Sequence, residues 1–157
     1  MAVPREITDA PRALTAQEYD KVKKHVYLAE RILQNRMAPE VVEIVAAHHE
    51  RSDGSGYPRG LREMQMNQKQ QILQLADSVT ALLGRRSYRS AFKESEMLDI
   101  IQEEASNGKY NKNIAKTLFD NYDDIMQRVK LRAEETMVTY RRLNQQFKKV
   151  SDKLKAQ

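Results

Sequence analysis

Tyr19, Val22, Val26, Ala29 and Leu33 follow one another at spacings of 3, 4, 3 and 4, the period of a single apolar face on a helix. Thr15-Ala16-Gln17-Glu18 stands in front of that stripe as a capping box, so the pattern predicts a helix from about Thr15 to Arg36. Pro39 suits the first turn of a second helix, where its missing N–H costs nothing. Val41, Val42, Val45, His48 and His49 continue one face of it to near Arg51, and Asp53-Gly54-Ser55-Gly56 and Tyr57-Pro58 then break the chain. A third helix is expected from about Asn67 to Leu83, with Ile72, Leu73, Ala76, Val79 and Leu83 inward and Gly84 closing it. The loop Arg85-Arg86-Ser87-Tyr88-Arg89 follows. A fourth helix spans Ser95 to Ser106 and stops at Asn107-Gly108, and Asn111 caps a fifth that runs from Ile114 toward Asn121. No segment alternates with the period of a strand, so the expected class is all-α.

The last third keeps a different rhythm. Tyr122, Met126, Val129, Ala133, Thr136, Tyr140, Leu143, Phe147, Val150 and Leu154 alternate spacings of 4 and 3 without a slip, which is a heptad seam. The expected organisation is a helical body over residues 1–121 and one long amphipathic helix over 122–157. A seam longer than so small a body can cover points to pairing with a second copy, a homodimer through this helix. Packing along its own bundle is the alternative.

Composition narrows the possibilities. With 40% apolar and 31% charged residues, the 157-residue chain has the make-up of a globular domain with a real core. It holds no apolar run of the roughly 18 residues that a spanning helix needs and no signal-peptide core near Met1, so no membrane association is expected. The absence of cysteine removes disulfides and thiolate ligands, leaving imidazole and carboxylate to hold any metal. It also fits a reducing cytoplasm. The net charge of +5 is concentrated at the end: residues 122–157 carry 9 Lys/Arg against 5 Asp/Glu, and the rest carry 18 against 17. A nearly neutral body with one basic helix face is not expected to read DNA.

The chemistry-bearing residues are few. The chain has three histidines, His25 at the edge of the first stripe and His48-His49 at the end of the second. Asp77 lies one turn beyond Leu73 in an otherwise apolar stretch, where an unpaired carboxylate is costly to bury. Singly, each histidine is more often a core or surface residue than a ligand. Adjacent histidines on a helix diverge by about 100°, so both serve one site only if groups converge from neighbouring helices. Together with His25 and Asp77, the set would suit iron, manganese, zinc or nickel.

The stretch His48-His49-Glu50-Arg51-Ser52-Asp53-Gly54-Ser55-Gly56-Tyr57-Pro58-Arg59-Gly60-Leu61 resembles the signature of the HD-GYP family of bacterial cyclic di-GMP phosphodiesterases. The likeness extends to Leu14-Thr15-Ala16-Gln17-Glu18 with Lys24-His25, to Leu75-Ala76-Asp77 and to Arg86-Ser87-Tyr88-Arg89, covering roughly residues 4–120. It implies a helical bundle of the HD-GYP type with His25, His48, His49 and Asp77 as metal ligands. It further implies that Gly56, Tyr57, Arg86 and Arg89 contact a cyclic dinucleotide, and that a GGDEF-type domain is a candidate protein partner. Guanidinium forks suit phosphodiester oxygens, and glycine lets backbone approach a ligand closely.

The departures are equally specific. The family's His-Asp pair, a glutamate and an upstream histidine should precede the segment Pro4 to Leu14, and the chain is expected to start too late to contain them. Thr80, Ser87, Glu63, Gln71 and Asn111-Lys112 stand where the family pattern has other residues. Hydrolysis in this family needs at least two metals. The reading that follows is a truncated or degenerate domain, inactive as it stands, that works in cyclic di-GMP signalling through ligand or protein contacts. The alternatives are a fragment of an active metal-dependent phosphodiesterase and a coiled-coil scaffold.

Overall fold

The computed structural model describes residues 3–84 and 91–155, with side chains through Lys148. The elements in chain order are α1 (Arg5–Thr8), α2 (Ala16–Leu33), α3 (Pro39–Ala46), a 3₁₀ turn (Glu63–Gln65), α4 (Gln68–Leu83), α5 (Glu94–Ser106), α6 (Lys112–Asp120) and α7 (Tyr122–Lys155). Among the described residues no strand forms, and the one bridge of that kind joins Asp53 to Arg62. The class is all-α. The chain divides into two units, Met1–Thr117 and Leu118–Gln157.

In the first unit α2 packs on α3, α3 on α4 and α4 on α5. The start of α2 is the capping box: the Glu18 N–H donates to Thr15 Oγ1 at 3.3 Å, and the Thr15 N–H donates to Glu18 Oε2 at 2.8 Å. Arg12 then clamps the same carboxylate with two bonds of 2.8 Å. α2 ends at Leu33 rather than Arg36, because Asn35 takes a left-handed φ of 64° and turns the chain away. Val26, Ala46, Ala47, Leu75, Val79, Met97, Ile101, Ala105 and Ala115 form the buried centre. Buried Tyr110 donates its hydroxyl to Glu104 at 2.6 Å, and burial together with that carboxylate raises its phenol to about 12.

Helix α4 corrects the expected inward face. Ile72 is 49% exposed and Ala76 is exposed, whereas Gln70, Gln71, Gln74 and Ser78 are buried with Leu75 and Val79. Polar residues can occupy a core when carbonyls meet them. Gln70 Nε2 donates to Glu43 O at 3.2 Å, Gln71 Nε2 to Glu63 O and Met66 O at 3.0 Å each, and Gln74 Nε2 to Lys109 O at 2.8 Å. The amides find carbonyls of α3, of the 3₁₀ turn and of the segment before α6, partners that an apolar count cannot detect.

The second unit carries α7, 34 residues long and therefore about 50 Å at 1.5 Å per residue. Tyr140, Leu143 and Phe147 on its seam are exposed, Phe147 at 77%.

Candidate metal centre

His25 reaches the centre from α2. His48 and His49 come from the turn after α3. That helix ends at Ala46 rather than near Arg51, and the amides of Ala47, His48 and Glu50 bond three residues back, to Ile44 O, Val45 O and Ala47 O. Such a three-residue turn still sets successive side chains about 120° apart, so it is the side-chain torsions and the packing of α2 on α3 that bring the two rings together. Their ring centroids lie 4.0 Å apart.

Three ring nitrogens meet. His25 Nε2 is 3.2 Å from His48 Nε2 and 3.1 Å from His49 Nε2, and one nitrogen of each ring falls within 4.8 Å of the other two. The far nitrogens are each engaged. His25 Nδ1 lies 2.5 Å from Val22 O and His48 Nδ1 lies 2.6 Å from Val45 O, while His49 Nδ1 faces Asp77 Oδ2 at 3.2 Å. A carbonyl oxygen only accepts, so Nδ1 of His25 and of His48 carries the hydrogen. The Asp77 carboxylate fixes His49 in the same tautomer.

All three Nε2 lone pairs consequently point at one another. A metal ion, or a proton on one of the rings, relieves that arrangement. Two nitrogens 3.1–3.2 Å apart, each bonded to an ion at about 2.0–2.1 Å, subtend about 100° there, close to the tetrahedral angle of a nitrogen-ligated metal. Imidazoles whose outer N–H groups rest on carbonyl or carboxylate are the usual surroundings of a bound transition metal. The residues present therefore fit a metal ion.

Electrostatics favour the ligating forms. Burial pushes His48 below the ordinary imidazole value, against the bond to Val45, and so favours the neutral ring. Burial alone would raise Asp77, but its bond to His49 and the nearby imidazoles and Arg51 hold it below the usual carboxylate range.

The loop after the histidines is folded tightly against them. The Glu50 side chain, fully buried, accepts the N–H of Arg59 at 2.7 Å and of Leu61 at 2.8 Å. The Tyr57 N–H donates to His49 O at 3.1 Å. At Gly56 a Cβ would fall 2.3 Å from Arg51 N and 2.4 Å from Glu50 Cα, so only glycine fits that approach. Tyr57 then lays its ring against His49, with centroids 4.8 Å apart. Burial, with Tyr19 and Asp77 near, raises its phenol well above the ordinary value.

Of the residues singled out in the sequence, the structure brings His25, His48 and His49 to one point, sets Asp77 on the outer nitrogen of His49, and places Gly56 and Tyr57 beside them. Arg86 and Arg89 lie outside the described residues. Sequence reasoning missed Glu50 as the anchor of the loop, and it missed Tyr19 and Lys23 next to Tyr57. Tyr19 had been counted only as part of an apolar stripe.

Comparison with known proteins places this geometry. Residues 1–114 match the family described as HD domain. A cyclic di-GMP phosphodiesterase of Thermotoga maritima is 38% identical over 107 residues, covering 62% of this chain and 29% of that protein. A 3'3'-cGAMP-specific phosphodiesterase of Vibrio cholerae is 33% identical over 125 residues, covering 79% and 29%. A cyclic di-GMP phosphodiesterase of Pseudomonas aeruginosa is 32% identical over 100 residues, covering 62% and 24%. The chain thus spans less than a third of the length of these relatives. Among the described residues no helix is long and apolar enough to cross a membrane. With its three-histidine cluster, its Gly-Tyr-Pro turn and a family match over most of its length, this chain belongs to the HD domain family, in the HD-GYP type.

Proposed function

We propose that this chain is a cyclic-dinucleotide signalling module built on a metal centre, acting through ligand or protein contacts and not turning over substrate by itself. The convergence of the three Nε2 atoms is the observation that carries this reading. His25, His48 and His49 would supply the donor nitrogens, and Asp77 would orient His49 through its outer nitrogen. Iron, manganese, zinc and nickel all suit that donor set. Bound there, the ion supplies Lewis acidity and positive charge next to a phosphodiester.

The chain's own residues do the rest. Glu50 holds the Gly-Tyr-Pro turn closed, Gly56 lets that turn lie against the backbone of Glu50 and Arg51, Tyr57 presents a ring beside the centre, and Gly56 and Tyr57 are proposed to contact the ligand. Arg86 and Arg89 are proposed to meet phosphate oxygens. The relatives named as cyclic di-GMP and 3'3'-cGAMP phosphodiesterases make a cyclic dinucleotide the ligand of choice, and a GGDEF-type domain is the proposed protein partner. The body, residues 1–121, would carry the site, and the helix over 122–157 would join two copies.

No His-Asp pair occurs in these 157 residues, so a two-metal centre with a bridging aspartate cannot be completed from them alone. The second reading is one part of an active metal-dependent phosphodiesterase, supported by the relatives that are named as phosphodiesterases. Calorimetry with Mn²⁺ and cyclic di-GMP, paired with chromatography of the products, separates them. Binding without linear product is expected. Multiple-turnover cleavage by the purified chain, abolished in His48→Ala, would establish the enzyme instead. Absence of both binding and cleavage would remove either reading.

A further inference from the structure

Beyond Tyr57 the site continues onto the first turns of α2. Tyr19 meets Tyr57 edge to face, with centroids 5.9 Å apart and an interplanar angle of 81°. Lys23 Nζ stands 4.8 Å from the Tyr19 centroid and 5.8 Å from that of Tyr57. Tyr57 in turn lies on His49. An unbroken line of rings thus runs outward from the three imidazoles and ends at an ammonium group.

This edge is open to a ligand. Tyr19 is 45% exposed, and the Lys23 side chain is 36% exposed. The carboxylate paired with Lys23 is Asp20, one turn earlier at 3.1 Å and itself 68% exposed, a contact of the weak surface kind. A part-exposed aromatic ring beside a part-exposed ammonium group matches two needs of a nucleotide: a π-face for the base and a donor for phosphate. A core stripe would bury the ring and leave the lysine pointing away.

We propose that Tyr19 and Lys23 form a second ligand-reading edge of the histidine centre, with Lys23 donating to a phosphate oxygen of a cyclic dinucleotide and Tyr19 stacking on one of its bases. The inference rests on the reading of the centre as a cyclic-dinucleotide site. It adds to that reading two residues of α2 that the Gly-Tyr-Pro turn does not supply.

The test is calorimetric titration of the purified chain, loaded with Mn²⁺, with cyclic di-GMP. Lys23→Gln and Tyr19→Ala should each weaken binding about tenfold. Lys23→Arg and Tyr19→Phe should retain most of it, because charge and ring survive. The affinity for Mn²⁺ and the melting temperature should not move in any of the four, and Lys23→Gln should bind with a shallower salt dependence. Unchanged cyclic di-GMP affinity in Lys23→Gln and Tyr19→Ala would overturn the proposal and leave the reading of the centre intact. So would a parallel loss of Mn²⁺ affinity, since the two residues would then only prop Tyr57 and His49. Failure of the unmutated chain to bind cyclic di-GMP would remove the underlying reading, and this edge with it.

Discussion

Asp77 Oδ2 lies 3.2 Å from Nδ1 of His49, on the side of the ring turned away from His25. That single contact joins α4 to the turn after α3 and sets which nitrogen of His49 is free. Asp77→Ala should lower Mn²⁺ or Zn²⁺ affinity by about 10–100-fold, the usual effect of removing a group that orients a metal-ligating histidine. His25→Ala, which removes one of three converging nitrogens, should be worse. Equal affinities for Asp77→Ala and the unmutated chain, measured by competition with a chromophoric chelator, would detach Asp77 from the centre.

Glu50→Ala should destabilise the first unit, because two backbone N–H groups, of Arg59 and Leu61, lose a charged acceptor. Hydrogen bonds to charged groups contribute about 1.5–3 kcal/mol each, so a clear fall in melting temperature is expected. The Gly-Tyr-Pro turn should loosen with it, visible as faster amide exchange at Tyr57. A variant with unaltered melting and exchange would show that the loop holds its shape without the carboxylate.

Acid should spare the start of α2 to an unusual degree. The bond from Arg12, then the Thr15 N–H, holds Glu18 down from 4.5 to about 2. A carboxylate depressed in the folded state contributes stability above its unfolded value, and loses that contribution as pH falls from 4.5 toward 2. Carboxyl-carbon NMR should find Glu18 still ionised at pH 3, and Arg12→Ala should bring its midpoint back toward 4.5. An ordinary midpoint in the unmutated chain would mean that the Arg12 clamp does not form in solution.

Assembly should depend on α7. Leu143 and Phe147 are exposed on its seam, and burying one such side chain is worth roughly 1.5–3 kcal/mol, so a second copy is the expected cover. Light scattering at tens of micromolar should give a dimer. Leu143→Asp combined with Phe147→Asp should give monomers whose helical signal is little changed. A monomeric mass for the unmutated chain would show that the seam does not pair.

What the sequence disclosed followed from how local each signal is. Thr15 with Glu18 marked the start of α2, and Asn107-Gly108 marked the end of α5, because caps are settled within four residues. The seam of α7 was readable over 34 residues for the same reason. The end of α3 was not, since His48 and His49 kept the apolar rhythm past Ala46 while the Glu50 side chain was already committed to Arg59 and Leu61. In α4 the buried face turned on carbonyls of Glu43, Glu63 and Lys109, distant in the chain, so Ile72 and Ala76 looked better placed than Gln71 and Gln74. The histidines were legible as a set through the family resemblance. Their spatial meeting came from the packing of α2 on α3, which periodicity does not encode.

The glutamine face of α4 also makes the core directional. Methyl groups can slide past one another with little change in energy, but Gln70, Gln71 and Gln74 each grip a carbonyl of a different segment. Displacing the helix by one turn would break all of these grips at once and leave buried amides unmatched. The same displacement, about 5.4 Å, would carry Asp77 out of reach of His49. The glutamines therefore act as an indexing device. They hold a carboxylate on α4 in step with an imidazole on the turn after α3, and mutations that look conservative by size, such as Gln74→Leu, should be felt at the metal.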